Sequence, residues 1–226
     1  MKKALILTFA IIGLAATAFA QQAKKADLLK ETDLFTPDAK VMVTEEDPMF
    51  VRLRKQAPQV RLPTFTPEKF IAGTKNGVRY KYWLSDGSAE FESSDHKFTA
   101  PFSNWRVGCK NDPIDDTTFC WMSFKDLMIF KRAFHEGIGI GHDHYPGSGV
   151  AIRVDGEKPF RGGATIPDRQ ASLIILRLLT GKTVATRYTK WPENVYVDST
   201  FDLYGFNEAH DYMGWLFGKV YKKPNR

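Results

Sequence analysis

The chain is poor in the residues that usually announce chemistry. Of 226 residues only two are cysteine and five are histidine. There is no GxSxG elbow for a serine nucleophile and no HExxH pair for a hydrolytic zinc. Gly162-Gly163 is not followed by the lysine and serine of a phosphate loop. The acidic pair Asp115 and Asp116 does not begin the regular ligand spacing of an EF-hand, and a solvated turn accounts for it. Charge is equally modest. Residues 1–20 hold two lysines and no acids, so without them 30 basic residues stand against 26 acidic ones, a balance of +4. That is too weak to imply nucleic acid. Beyond residue 20 no apolar run is long enough to span a bilayer. Without a recognisable set of nucleophile, base and oxyanion donors, binding is the better expectation than turnover, and no cofactor is implied.

What is present begins with an export signal. Lys2 and Lys3 precede an apolar run from Ala4 to Phe19 that ends in Ala18-Phe19-Ala20, the small-x-small pattern a signal peptidase reads. The pattern predicts a signal peptide over residues 1–20 and a mature chain beginning at Gln21. The other reading, a retained anchor, fits less well, because the run is near the lower length limit for spanning and ends in a cleavage pattern. No cysteine near the cut offers a lipid attachment point, so a soluble periplasmic protein is expected.

The two cysteines, Cys109 and Cys120, have ten residues between them within FSNWRVGCKNDPIDDTTFCWMS. Apolar segments enter the first and leave the second, which predicts two adjacent strands joined by a polar turn containing Asn111, Asp112, Pro113, Asp115 and Asp116. In an oxidising compartment such a pair is most simply a disulfide, worth roughly 3 kcal/mol against a typical stability of about 5–15 kcal/mol. A redox pair would need a CxxC spacing. A thiol pair on a metal is the remaining reading.

Residues 21–70 read as an extended arm. Lys24 to Phe35 suggests one short amphipathic helix, but no face is sustained. Acidic Glu45, Glu46 and Asp47 precede basic Arg52, Arg54, Lys55 and Arg61, and Pro48, Pro58, Pro63 and Pro67 argue against a helix or inner strand. The stretch reads either as solvated linker or as an arm lying on another protein or a charged envelope surface. In the second case Phe50, Arg52, Leu53, Arg54 and Arg61 are its candidate partner-binding residues, arginine supplying planar donor forks and the apolar residues anchors.

From residue 71 order is expected to the end of the chain. Val78, Tyr80, Tyr82 and Leu84 share one parity, and Asp86-Gly87 breaks the run before Ala89 and Phe91, a hairpin signal. Residues 127–132 read as a covered strand. A glycine-rich stretch over 136–149 reads as a flexible loop, and Val150, Ile152 and Val154 as a strand turning at Asp155-Gly156. Between Pro167 and Gly181 the period becomes helical, with Ala171, Ile174, Ile175, Leu178 and Leu179 as its stripe and Asp168 as a cap. Strands over 183–190 and 194–201 flank Trp191-Pro192. Phe206, Ala209, Tyr212, Met213 and Leu216 line a terminal helix, followed by a basic tail with Lys222, Lys223 and Arg226.

Several pieces together resemble the invasion-associated locus B family of exported bacterial proteins. They are Asn104-Trp105-Arg106-Val107-x-Cys109, Cys120, Ile152-Arg153-Val154-Asp155-Gly156, Leu178-Leu179-Thr180-Gly181-Lys182 and Phe201-Asp202-Leu203-Tyr204-Gly205-Phe206-Asn207-Glu208-Ala209. The resemblance covers about residues 100–218. It implies an immunoglobulin-like β-sandwich with small helices, in a periplasmic or envelope-associated protein without catalytic residues, and a role in host-cell invasion for pathogenic members; with the residue pattern above, the expected fold is that sandwich with two short helices and an extended N-terminal arm. It also matches Cys109 and Cys120 to structural cysteines, and Gly205, Phe206 and Ala209 to a final helix packed on the sandwich. The long segment before Ala100 departs from the family pattern.

The one candidate for chemistry is Gly141-His142-Asp143-His144-Tyr145. His142 and His144 would hold zinc or copper if His135 or His96 came near as a third ligand, and a metal-dependent periplasmic enzyme is therefore the alternative function. An HxH pair in a loop without metal is the plainer reading. The expectation is a non-enzymatic interaction or accessory protein of the envelope, with an envelope protein as partner and a membrane surface as a further contact. The arm and the 136–149 segment are its preferred contact regions.

Overall fold

A computed structural model of the chain describes residues 38–57, 59, 61, 63–95, 103–112, 114, 117–133, 135–166 and 168–221, with Asp168 described by its backbone alone. The expected signal peptide over residues 1–20, the helix considered over Lys24 to Phe35, Pro58, His96, Pro113, Asp115, Asp116 and the basic tail lie outside the described residues, as does any cap from the Asp168 side chain.

The fold is mainly β, two antiparallel sheets in a sandwich-like arrangement with helices against them. The larger sheet runs β1 (Lys40–Val43), β2 (Lys69–Lys75), β3 (Val78–Trp83), β4 (Ala89–Glu92), β5 (Asn104–Asn111), β6 (Thr118–Phe124), β7 (Leu127–Arg132) and β8 (His135–Ile140), each paired with the next in sequence. The short β11 (Thr165–Ile166) closes its far edge beside β8. The smaller sheet has the order β10 (Phe160–Gly162), β9 (Val150–Val154), β12 (Thr183–Lys190), β13 (Val195–Asp202). Among the pairings of the described residues β1 to β8 form a meander, and the four-strand Greek key of an immunoglobulin sandwich is not among them.

Alternation explains which face is inside. Val78, Tyr80 and Tyr82 on β3, Trp105 and Val107 on β5, and Met122 and Phe124 on β6 are all buried, as their shared parity requires. Gly87 turns the β3–β4 hairpin with φ 76°. Three glycines sit directly opposite an aromatic residue on the next strand: Gly73 faces Tyr80, Gly108 faces Trp121 and Gly137 faces Phe130. In each pair the ring lies over the glycine, in the space a side chain there would need.

That pairing corrects the reading of residues 136–149 as a flexible loop. Residues 135–140 are β8, with Gly137 to Ile140 buried. Gly137 and Gly139 accept the side chains of Phe130 and Met128 across the sheet, while Ile138 and Ile140 point into the core.

The helix α2 (Asp168–Thr180) buries Ala171, Ile174, Ile175 and Leu178 against β8 and β9. The three larger side chains contribute about 1.5–3 kcal/mol each. The terminal α3 (Phe206–Val220) lies across β4, β5 and β6 and buries Phe206, Ala209, Tyr212, Met213, Leu216 and Phe217. The Tyr212 hydroxyl donates to the Gly87 carbonyl at 2.9 Å, and burial raises its pKa well above the ordinary tyrosine range. At the centre Trp105 is fully buried, its ring 5.1 Å from Phe124 and 5.2 Å from Phe206.

A third helix, α1 (Pro48–Gln56), corrects both the expected pair of helices and the reading of the arm as extended. Proline opposes a helix only in its interior. Pro48 stands in the first turn, where its missing N–H would have had no partner, and the Asp47 side chain accepts from the Met49 amide at 2.7 Å as the cap.

Candidate functional site

The exposed apolar surface of the described residues is concentrated at their N-terminal end. Strand β1 pairs with β2 through Val41 opposite Ile71 and Met42 opposite Phe70, and it forms one edge of the larger sheet. All four of its residues are exposed, Val41 at 64%. Helix α1 follows after four residues and buries none of its side chains. Met49 is 56% exposed, Leu53 38%, Phe50 and Val51 37% each. Seven large apolar residues are thus displayed by one strand and one helix, both of them formed.

Charge is arranged around them. Glu45, Glu46 and Asp47 precede the positive end of α1, and Arg54 and Lys55 sit in its last turn, so both ends complement the helix dipole. Of the expected partner-binding residues, Phe50 and Leu53 are exposed as required. Arg52 and Arg61 are exposed and make no ion pair with another described residue. Arg54 differs. It pairs with Glu46 at 2.7 Å and donates to the Pro63 carbonyl at 2.7 Å, so it ties the helix to the chain on both sides. Its charge is spent within the arm. What such a surface can do is bury apolar area against another surface, with Arg52, Lys55 and Arg61 as orienting cations.

The histidine pair has a different setting. Gly141, at φ 75°, ends β8 and packs directly under the Tyr188 ring. His142 is exposed and His144 half-buried, their rings 6.2 and 5.5 Å from Tyr188 on β12. His144 forms a β-bridge to Lys190, and its buried Nδ1 has no hydrogen-bond partner. Burial, Asp126 and Asp143 raise the Tyr188 pKa. Among the described residues no three histidine, cysteine, aspartate or glutamate side chains come together as a metal site. His135, considered as the third ligand, begins β8 and pairs with Arg132.

Cys109 and Cys120 are directly opposite one another on β5 and β6 and are joined by a disulfide. The staple crosses the sheet where the chain turns between Asn111 and Thr118, and the Asp112 carboxylate accepts from the Ile114 amide there.

No family model, curated protein or solved structure matches this chain. The geometry of its own surface therefore carries the functional reading. The cap at Asp47, the proline in the first turn and the basic last turn are the sequence signals that would have located α1.

Proposed function

We propose that the protein is exported to the periplasm and acts there by contact, as an interaction or accessory subunit of the cell envelope. The observation that carries this reading is the apolar surface of β1 and α1. A capped helix and a paired strand that bury nothing of their own are built for something outside the described fold. The signal pattern over residues 1–20, the disulfide and the resemblance to exported envelope proteins support the compartment. Under this reading Phe50, Leu53, Val41 and Val43 anchor the partner while Arg52 and Arg61 orient it. The invasion role of the family and its immunoglobulin-like sandwich come with the same resemblance.

The test replaces Phe50→Glu and Leu53→Glu together and compares capture from gently solubilised envelope with that of the unaltered protein. Because neither residue is buried, the denaturation midpoint stays where it was, while a specific partner identified by mass spectrometry is lost. Unchanged capture would move the contact elsewhere on the molecule.

A further inference from the structure

The outer face of the smaller sheet carries three arginines brought together from distant parts of the sequence. Strand pairing sets Arg161 on β10, Ala151 on β9, Arg187 on β12 and Asp198 on β13 in one row across the four strands. The next row holds Arg153, Ala185 and Thr200. Ala151 is therefore ringed by arginine, with Arg161 and Arg187 on the strands to either side and Arg153 two residues along its own. Two strand spacings separate the backbones of Arg161 and Arg187, about 10 Å, with Ala151 between them. The result is a recess of about 260 Å³ with Ala151 and Ala185 in its floor. A second recess of about 600 Å³ shares Ala151, Arg161 and Arg187 and extends to Asn194 and Tyr196, which is 73% exposed.

The charges are not balanced from within. Arg187 is fixed by Asp198 through two hydrogen bonds of 2.6 Å, and its guanidinium lies 5.2 Å from the Tyr196 ring centre. Arg153 and Arg161 have no hydrogen bond or ion pair to another described residue. Among the described residues that line the two recesses Asp198 is the only acid, so three guanidinium groups stand there against one carboxylate, a local balance of +2. Exposed guanidinium groups gathered around an uncharged floor offer their donors to an anion. Guanidinium forks match phosphate oxygens in shape and charge better than any other side chain.

We infer that this recess binds a phosphate monoester, its oxygens over Ala151 between Arg153 and Arg161, with Arg187 held ready by Asp198. The remainder of the ligand lies along the second recess toward Tyr196. This site is separate from the β1–α1 surface and does not depend on the function proposed for it. The phosphate belongs either to a soluble ester or to a lipid headgroup.

The experiment measures binding of inorganic phosphate, of glycerol 3-phosphate, and of phosphatidylcholine vesicles with and without phosphatidic acid, at low salt against chloride. Arg153→Gln and Arg161→Gln each weaken binding about tenfold or more, as expected for loss of hydrogen bonds to a charged group. Ala151→Leu fills the floor and abolishes binding. Arg169→Gln, an exposed cation on α2, leaves it unchanged. Denaturation midpoints confirm that each variant is folded. Binding of glycerol 3-phosphate in solution assigns a soluble ester, and phosphatidic acid dependence assigns a headgroup. Phosphate bound no better than chloride, or equal weakening by Arg169→Gln, overturns the site.

Discussion

The indole nitrogen of Trp105 donates to the backbone carbonyl of Tyr204 at 2.9 Å, joining residues 99 positions apart at the centre of the molecule. Gly205 follows at once, with φ 79°, and its backbone lies against the Glu92 carbonyl. A side chain at 205 would overlap that carbonyl and meet the Trp105 ring as well. Gly205→Ala is therefore expected to lose about 3–4 kcal/mol, from strain at positive φ together with displacement of α3. Denaturant titration followed by tryptophan fluorescence checks the loss, and a change under 1 kcal/mol on the order of ordinary surface substitutions would contradict it.

The disulfide should stabilise the fold mainly by restricting the unfolded chain. Protein purified under oxidising conditions should yield the Cys109 and Cys120 peptides as one linked species. Reduction, or Cys109→Ala with Cys120→Ala, should cost about 3 kcal/mol. For a chain of this size that is a fall in melting temperature of about 6–12 °C. Two free thiols in protein from its native compartment would contradict the pairing.

His210 should make stability fall in mild acid. It lies on α3 with its ring 5.9 Å from that of Phe206, and its Nε2 is buried without a partner. Burial lowers its pKa, and Lys131 adds to this, while Glu136 and Asp211 oppose it. The folded state therefore holds the ring neutral where the unfolded chain would already bind a proton. The sign follows: this contribution is complete above the unfolded value of about 6.5 and is lost as pH falls through the window below it. Denaturation midpoints at pH about 7.5 and about 5.5 should differ less in His210→Gln than in the unaltered protein. An identical slope would show that other groups cause the change.

The histidine pair should be dispensable. His142→Ala with His144→Ala removes two rings from the edge of Tyr188 and no described ion pair, so the cost should stay within about 1 kcal/mol. Metal analysis of protein never exposed to chelator gives the complementary result. Stoichiometric zinc or copper lost in the double variant would contradict this and favour the alternative function.

Sequence periodicity located most of the fold. Val150, Ile152 and Val154 alternate cleanly and the strand is there, and the stripes of α2 and α3 fall on buried residues except for Leu179, which is half-buried. The strands β1, β2, β10 and β11 were not read from the sequence, and α1 and β8 were hidden by residues that carry opposite meanings in different places. Pro48 reads as a helix breaker but starts α1, and the glycines of β8 read as loop but make room for Phe130 and Met128. The arginine recess was not readable at all. Arg153, Arg161 and Arg187 share a face only because β10, β9 and β12 pair in one particular register, and no local pattern reports that.

The meander sets an order of assembly. Each strand from β3 to β8 pairs with the strand just before it in the chain, so that part of the larger sheet can grow strand by strand, with little loop-closure cost at each step. Its inner face has no such local cover. Trp105 waits for Phe201 and Phe206, about a hundred residues further along the chain, and until they dock a broad apolar sheet stands open. Chains cut short before α3 would be left in that state, sticky and prone to proteolysis, and a holding chaperone would have its work concentrated in the interval before residue 206 arrives.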